Sequence, residues 1–140
     1  MWTTVIICTK DRKDDLRVAL RSLAGQTLRP DDVLVVDAGS EPALDDASIT
    51  ELRAAFPLRH LRAAPGLAKQ RNLGIRESTG DIIFFFDDDV VLEPDYLRQV
   101  VAVFAEDTEG KIGAVGERIT NAVPAGPRGR GEPLRRLVRR

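Results

Sequence analysis

The clearest limits on this 140-residue sequence come from what it lacks. Its one cysteine, Cys8, excludes an internal disulfide framework. Because Cys8 lies in an apolar run, we interpret it as a buried small hydrophobe. No apolar stretch approaches the roughly 20 residues of a membrane span. No basic segment precedes a long apolar run at the N-terminus, so we expect no signal peptide and a cytoplasmic protein.

A strong net charge is also lacking, although the charges are unevenly distributed. The formal net charge of −1 combines +5 in residues 128–140, which hold six arginines and one glutamate, with −6 in the preceding residues. An acidic body is not typical of a nucleic-acid-binding protein, so we expect no nucleic acid partner. Three interpretations of the arginine-rich end stay open: peripheral contact with the inner face of a membrane, a solvated tail, or the start of a further region.

Apolar β-rich runs and helical patterns alternate along the chain. This alternation predicts a single α/β domain with a mostly parallel sheet and helices on both faces. Proline and glycine recur from residue 121 onward, which predicts a globular domain over 1–120 and a flexible tail over 121–140. The predicted strands are 3–9, 33–36, 58–62, 82–86 and 112–119. The predicted helices begin near 14, 45, 66 and 94 and end near 24, 56, 78 and 106.

Two details of the helices can be predicted from side-chain type and spacing. Asp11 or Asp14 is a suitable N-cap for the first helix. In the third helix the apolar spacing predicts an inward face that includes Leu67 and Ile75, together with Ala68 and Asn72.

Three consecutive aspartates, Asp87, Asp88 and Asp89, follow the unbroken apolar run 82–86. The run is typical of a strand buried on both faces. Buried carboxylates are costly, so the acids are expected where the strand leaves the sheet, at its carboxyl end. If strand geometry persists, Asp87 and Asp89 converge while Asp88 faces the other side, and two convergent carboxylates suit Mg²⁺ or Mn²⁺. The alternative interpretation is a solvated acidic turn.

Polar residues follow two other predicted strands, at Thr9 and at Asp37. The carboxyl ends of parallel strands share one edge, so these residues are expected beside the acid triplet. No Gly-x-Gly-x-x-Gly or Walker loop is present. Phosphate neutralisation would therefore need a metal and side chains, with Lys69 and Arg71 as candidates. Asp37 as a simple turn cap, and Lys69 and Arg71 as a solvated helix face, remain open alternatives.

Five segments follow one another over residues 3–119: Val5–Arg12, Leu20–Thr27, Val35–Ser40, Ala68–Gly74 and Phe85–Val90. In order and spacing they resemble the N-terminal half of family 2 glycosyltransferases. These enzymes have the GT-A fold and use nucleotide-diphosphate sugars.

The resemblance implies a nucleotide-sugar-binding role for each matching position. Thr9 and Asp11 would line the nucleotide pocket. Asp37 would recognise the base, often the imide of uracil or thymine, which favours UDP or dTDP donors. Lys69 and Arg71 would lie beside the nucleotide and its phosphates.

For the acid triplet the resemblance implies the family's Asp-x-Asp pair. Asp87 and Asp89 would be the pair that binds Mn²⁺ or Mg²⁺, with Asp87 also near the ribose and Asp88 supporting the site. The bound metal would stabilise charge on the leaving diphosphate as a Lewis acid, in a transfer expected to invert the anomeric centre.

One part of the family pattern has no match. The carboxylate base that activates the acceptor hydroxyl lies in a later, acceptor-binding half, and Glu117 is a weak candidate for it. The expectation is a donor-binding half without its base, acting on an unknown acceptor, polysaccharide or lipid-linked. The alternative is a non-catalytic nucleotide-sugar-binding module that works with a partner. A nucleotidyltransferase is disfavoured, because no glycine-rich loop follows the first strand.

Overall fold

The computed structural model describes residues 1–41, 47–116 and 136–138. The helices are α1 (Lys13–Ala24), α2 (Ala47–Thr50, continued by a 3-10 turn over Glu51–Ala54), α3 (Leu67–Glu77) and α4 (Tyr96–Glu106). The strands are β1 (Thr3–Thr9), β2 (Asp32–Asp37), β3 (Leu58–Arg62), β4 (Ile82–Asp87), β5 (Ile112–Val115) and β6 (Arg136–Val138).

Four strands form one parallel sheet in the order β3-β2-β1-β4, as the alternating pattern predicts. The chain moves from β1 to β2 to β3 in one direction and then returns past both to pair β4 with β1. Right-handed crossovers consequently place α1 and α2 on one face and α3 on the other. On the α3 face, Ile6, Leu34 and Val36 form a buried cluster against which Leu73 packs.

β4 differs from its prediction as a strand buried on both faces. Ile82, Phe84 and Phe86 are buried, whereas Phe85, on the opposite face, is 41% exposed. The reason is position, because β4 is the edge strand of the four-stranded sheet and its α3-side face is incompletely covered. An unbroken apolar run therefore did not distinguish a central strand from an edge strand here.

Two predicted helix details are also wrong. The residue before α1 is Arg12, which makes no side-chain capping bond, so neither Asp11 nor Asp14 caps this helix. In α3 the buried residues are Gln70 and Gly74, whereas the predicted inward residues Leu67 and Ile75 are 50% and 45% exposed.

The second predicted helix is α-helical over Ala47–Thr50 and continues as a 3-10 turn over Glu51–Ala54, so its last residues differ from the predicted α-helix; residues 42–46 lie outside the described part of the chain.

Residues 1–99 form one compact unit and residues 100–140 contribute a second. In the second unit β5 pairs antiparallel with β6. β6 lies inside the range predicted as a flexible tail, while 117–135, including Glu117, lie outside the described residues. The division at residue 120 therefore stays a prediction. Within the described ranges, no helix is both long and apolar enough to cross a membrane.

Gly74 is expected to be required where α3 crosses β1. A Cβ at this position would lie 2.6 Å from Ile6 Cγ2. Alanine is the better helix former by roughly 1 kcal/mol, but overpacking of this kind costs about 1–3 kcal/mol. Gly74→Ala is therefore expected to lower the free energy of unfolding by up to about 2 kcal/mol in urea denaturation.

The matched control is Gly25→Ala, because a Cβ there meets nothing closer than 3.5 Å and the φ of −82° is ordinary. This control should match the wild type or slightly exceed it. Equal stability of the two variants would contradict the close contact between α3 and β1.

Candidate nucleotide and metal site

A pocket of about 280 Å³ opens at the carboxyl ends of β1 and β4. These two strands are neighbours in the sheet, although the chain leaves β1 in one direction and reaches β4 from the other. This is the topological switch point at which open α/β sheets bind ligands. Nine residues line the pocket: Cys8, Thr9, Lys10, Arg12, Leu67, Gln70, Asp87, Asp88 and Asp89.

Asp88 is the buried member of the acid triplet, with 6% of its surface exposed. Its Oδ2 accepts a 2.8 Å hydrogen bond from Thr9 Oγ1, and its Oδ1 lies 3.3 Å from Arg12 Nη1. Both carboxylate oxygens are therefore partnered, which is the condition under which a buried charge is tolerated. The contact with Asp88 raises the pKa of the Arg12 guanidinium, so that it remains a cation at any working pH.

Asp87 and Asp89 present more exposed carboxylates to the same pocket, with 67% and 53% of their side chains exposed. Asp87 Oδ1 lies 3.6 Å from Arg71 Nη2, on the α3 side. Strand alternation holds for one step, from Asp87 to Asp88, and then the strand ends. The turn that follows brings Asp89 Oδ2 within 3.1 Å of Arg12 Nη1, so that Asp88 and Asp89 meet at one arginine. The predicted strand geometry therefore does not persist, and Asp88 does not face away from Asp89, because β4 ends at Asp87.

The carboxylate oxygens of this triplet are suitable ligands for a hard divalent cation. Asp87 and Asp89 offer exposed carboxylate oxygens at the pocket, and Mg²⁺ is commonly held by one or two carboxylates together with substrate phosphates. A metal site with three or more protein ligands would need a tighter group of side chains. Across residues 1–41, 47–116 and 136–138, no three His, Cys, Asp or Glu side chains lie close enough together to form such a site.

Asp37 is fully buried at the end of β2. Its Oδ1 accepts hydrogen bonds from the Ser40 backbone N–H at 3.1 Å and the Ser40 hydroxyl at 2.6 Å. Gly39, with φ +80°, allows the turn that makes this possible. Its Oδ2 has no hydrogen-bond partner among the described residues and lies 3.6 Å from His60 Nε2, which also has none there. Asp37 does cap a turn, and it retains an unused acceptor.

The other residues predicted for the nucleotide site lie around the pocket rather than on its lining. Asp11 adopts φ +56° and holds the turn after β2, with its N–H donating to Ser40 Oγ and its Oδ1 accepting from the Glu41 N–H. Lys69 is exposed and lies against Gly66, at the N-terminal end of α3. Of the predicted set, the structure brings Thr9 together with the acid triplet and places Arg71 against Asp87.

Gln70 is a site residue that the sequence interpretation did not assign. It is 5% exposed, and its Nε2 donates to the backbone carbonyls of Thr9 at 3.0 Å and Val36 at 2.8 Å. One amide thus joins α3 to the carboxyl ends of β1 and β2. The spacing between Gln70 and Gly74 could have indicated that both residues face inward, because residues four apart lie on the same face of a helix.

The segment after the acid triplet is held by the C-terminal end of α1. Gln26 Nε2 donates to the Glu93 carbonyl at 2.7 Å, and its Oε1 accepts from the Leu97 N–H at 3.1 Å. Ser22 and Thr27 make the remaining contacts, to the Leu92 N–H, the Pro94 carbonyl and the Asp95 carboxylate. Because Arg12 precedes the same helix, α1 contacts the acid segment at both of the helix's ends.

Comparison with known proteins places these features in one family. The model of "Glycosyl transferase family 2" matches residues 4–137. An uncharacterized glycosyltransferase of Haemophilus influenzae is 30% identical over 106 residues, which are 74% of this chain and 35% of that protein. The chain spans about a third of the length of the curated relatives it matches.

Solved structures give the same result for the fold. S. aureus TarS 1–349 in complex with UDP-GlcNAc superposes with a TM-score of 0.63 at 26% identity, covering 76% of this chain and 32% of that one. The mannosyltransferase PcManGT from Pyrobaculum calidifontis, in complex with GDP-Man and Mn²⁺, gives 0.65 at 23% identity, covering 76% and 33%. The predicted GT-A fold is confirmed.

Gln70→Leu is expected to lower the free energy of unfolding by about 1–3 kcal/mol, because two buried hydrogen bonds are lost while the side-chain volume is kept. Chemical denaturation would measure the change. Arg76→Leu, on the exposed side of the same helix, is the control and should stay within about 0.5 kcal/mol of the wild type. A Gln70→Leu variant as stable as this control would show that the amide does not hold the strand ends.

Cys8, interpreted from the sequence as buried, is only partly buried and lines the pocket. It is still expected to react slowly with iodoacetamide. Burial raises the pKa of its thiol, an effect that the positive charge of Arg71 partly offsets. Less thiolate is therefore present at pH 8 in the folded chain than in the unfolded chain, and alkylation followed by mass spectrometry should be several-fold slower.

Arg71→Gln should slow this alkylation further, because it removes the cation that lowers the pKa of the Cys8 thiol. Arg98→Gln is the matched control, because Arg98 lies on α4 and pairs with Asp95, which precedes that helix; it should leave the rate unchanged. Faster alkylation in Arg71→Gln than in the wild type would contradict the assignment.

Proposed function

This chain belongs to glycosyl transferase family 2, and we propose that it binds a nucleotide-diphosphate sugar in the pocket at the ends of β1 and β4. The proposed reaction is transfer of the sugar to an acceptor hydroxyl. One observation carries the proposal: the acid triplet, Thr9 and Arg12 line one pocket at the switch point of the sheet.

The three acids have different roles in the proposed site. Asp88 is buried, bonded to Thr9 and Arg12, and supports the turn. Asp87 and Asp89 are exposed to the pocket and would hold Mn²⁺ or Mg²⁺ together with the donor diphosphate. The bound cation would supply Lewis-acid stabilisation of the leaving diphosphate. Structures of the same fold contain UDP-GlcNAc in TarS and GDP-Man with Mn²⁺ in PcManGT, which supports a nucleotide-sugar site on this fold but does not bear on the roles of single residues.

We assign recognition of the base to Asp37. Its Oδ2 is a buried carboxylate oxygen with no hydrogen-bond partner among the described residues, and a ligand N–H would satisfy it. Because Asp37 is fully buried and does not line the pocket, this assignment requires His60 or the Ser40 turn to move aside when the nucleotide binds. The imide N–H of uracil or thymine is such a donor, so uridine or thymidine diphosphates are the preferred donors in this proposal. Asp11 contributes indirectly by holding the Ser40 turn, and Lys69 and Arg71 provide positive charge for the phosphates.

The reaction is proposed to invert the anomeric centre, in the cytoplasm, with a polysaccharide or lipid-linked acceptor. A second candidate, a non-catalytic nucleotide-sugar-binding module, shares the same donor site. Glycosyl transfer by the chain itself, assayed with candidate acceptors, distinguishes the two. A general base typically contributes about 10²–10⁴-fold, so a module without one would bind donor but transfer it very slowly.

The first test is calorimetric titration with UDP, UDP-sugars and GDP, each with and without Mn²⁺. UDP is expected to bind in a Mn²⁺-dependent manner. Asp89→Ala should weaken this binding by about tenfold or more, because a contact to a charged group is typically worth about 1.5–3 kcal/mol.

Asp14→Ala is the matched control, since Asp14 is an exposed acid in the first turn of α1 and lies outside the pocket. It should bind UDP as the wild type does. Failure of the wild type to bind any of these nucleotides would contradict the proposed donor site, and Mn²⁺-independent binding would contradict the metal role of Asp89.

A further inference from the structure

Arg12 joins the two acids that follow the end of β4. Its Nη1 lies 3.3 Å from Asp88 Oδ1 and 3.1 Å from Asp89 Oδ2, so a single guanidinium nitrogen is shared between two carboxylates. About half of the Arg12 side chain is exposed, and the residue lines the pocket. Arg12 is therefore a cation placed beside acids proposed to support or bind a metal ion.

The two contacts of Arg12 are not equivalent. Asp88 is buried and also bonded to Thr9, so its position does not depend on Arg12 alone. Asp89 is half exposed, and ion pairs between half-exposed groups contribute little to stability. Of the two contacts, the one between Arg12 and Asp89 can therefore be broken at the smaller cost in free energy.

A divalent cation on Asp89 changes the balance of charges around Arg12. A dication and a guanidinium that share one carboxylate repel each other at a separation of about 4 Å. Binding of the metal ion therefore favours departure of Arg12 from Asp89. The guanidinium remains at the pocket, and its planar set of N–H donors suits the oxygens of a diphosphate.

We propose that Arg12 is an exchange residue of the donor site. In the nucleotide-free protein it offsets part of the negative charge of Asp88 and Asp89 and competes with a divalent cation for Asp89. Once the cation occupies Asp89, Arg12 binds the diphosphate of the donor. This inference rests on the proposed function and assigns a nucleotide-binding role to a residue that the family resemblance left without one.

The test compares two affinities in Arg12→Gln and in the wild type. Binding of Mn²⁺ alone is measured from the electron paramagnetic resonance signal of free Mn²⁺, and binding of UDP at saturating Mn²⁺ is measured by calorimetry. Arg12→Gln is expected to bind Mn²⁺ alone several-fold more tightly, because the competing cation is gone. It is expected to bind UDP several-fold more weakly, because a phosphate contact is lost.

The opposite signs separate exchange from a purely structural role, since a variant with a disturbed site would lose affinity for both ligands. Arg21→Gln is the matched control, because Arg21 lies on α1, the helix that Arg12 precedes, is 59% exposed and pairs with Glu51 at 3.0 Å, away from the pocket. Both of its affinities should equal those of the wild type.

Arg12→Lys provides a second variant if Arg12→Gln does not fold. Lysine keeps the charge but lacks the planar fork, so Mn²⁺ affinity should stay near the wild-type value while UDP affinity falls. Equal Mn²⁺ affinity in Arg12→Gln and wild type, or no detectable Mn²⁺ binding in either, would overturn the exchange even if UDP binds. Tighter Mn²⁺ binding in Arg12→Gln without any nucleotide binding by the wild type would instead overturn the proposed function and the diphosphate step.

Discussion

One buried hydrogen bond, from Thr9 Oγ1 to Asp88 Oδ2 at 2.8 Å, connects the carboxyl ends of β1 and β4. A carboxylate that is 6% exposed is tolerated only with such partners, so the bond and the turn depend on each other. Because β4 ends at Asp87, the position of Asp88 also determines the direction in which the chain presents Asp89. The shape of the pocket therefore depends on the contacts that stabilise the buried Asp88 carboxylate.

Much of the architecture could be predicted because it follows from local patterns. Apolar runs indicated the parallel strands, and the high cost of burying carboxylates placed the acid triplet at a strand exit. The partners of those acids could not be predicted, because the contact between Arg12 and Asp88 joins residues 76 positions apart. The structure determines that contact through the pairing of β4 with β1, which no local pattern encodes.

The errors in α3 and β4 have distinct physical causes. In α3 the apolar spacing favoured Leu67 and Ile75, but the inward face instead needs the amide of Gln70 for two carbonyls and the absence of a side chain at Gly74 beside Ile6. In β4 the apolar run suggested burial on both faces, whereas the edge position leaves Phe85 partly exposed. The polarity of the side chains alone does not predict which residues of α3 and β4 are buried, because their burial depends on tertiary contacts.

The hydrogen bonds that Ser22 of α1 and the residues flanking this helix make with the segment after the acids affect the entropy of ligand binding. Ser22, Gln26 and Thr27 hydrogen-bond the backbone between Leu92 and Leu97, and Thr9 and Arg12 hold the buried Asp88. Ordering a residue costs roughly 1–2 kcal/mol in backbone entropy. For this segment that loss occurs during folding, so a ligand that reaches the acids meets a backbone already restricted and need not order it again.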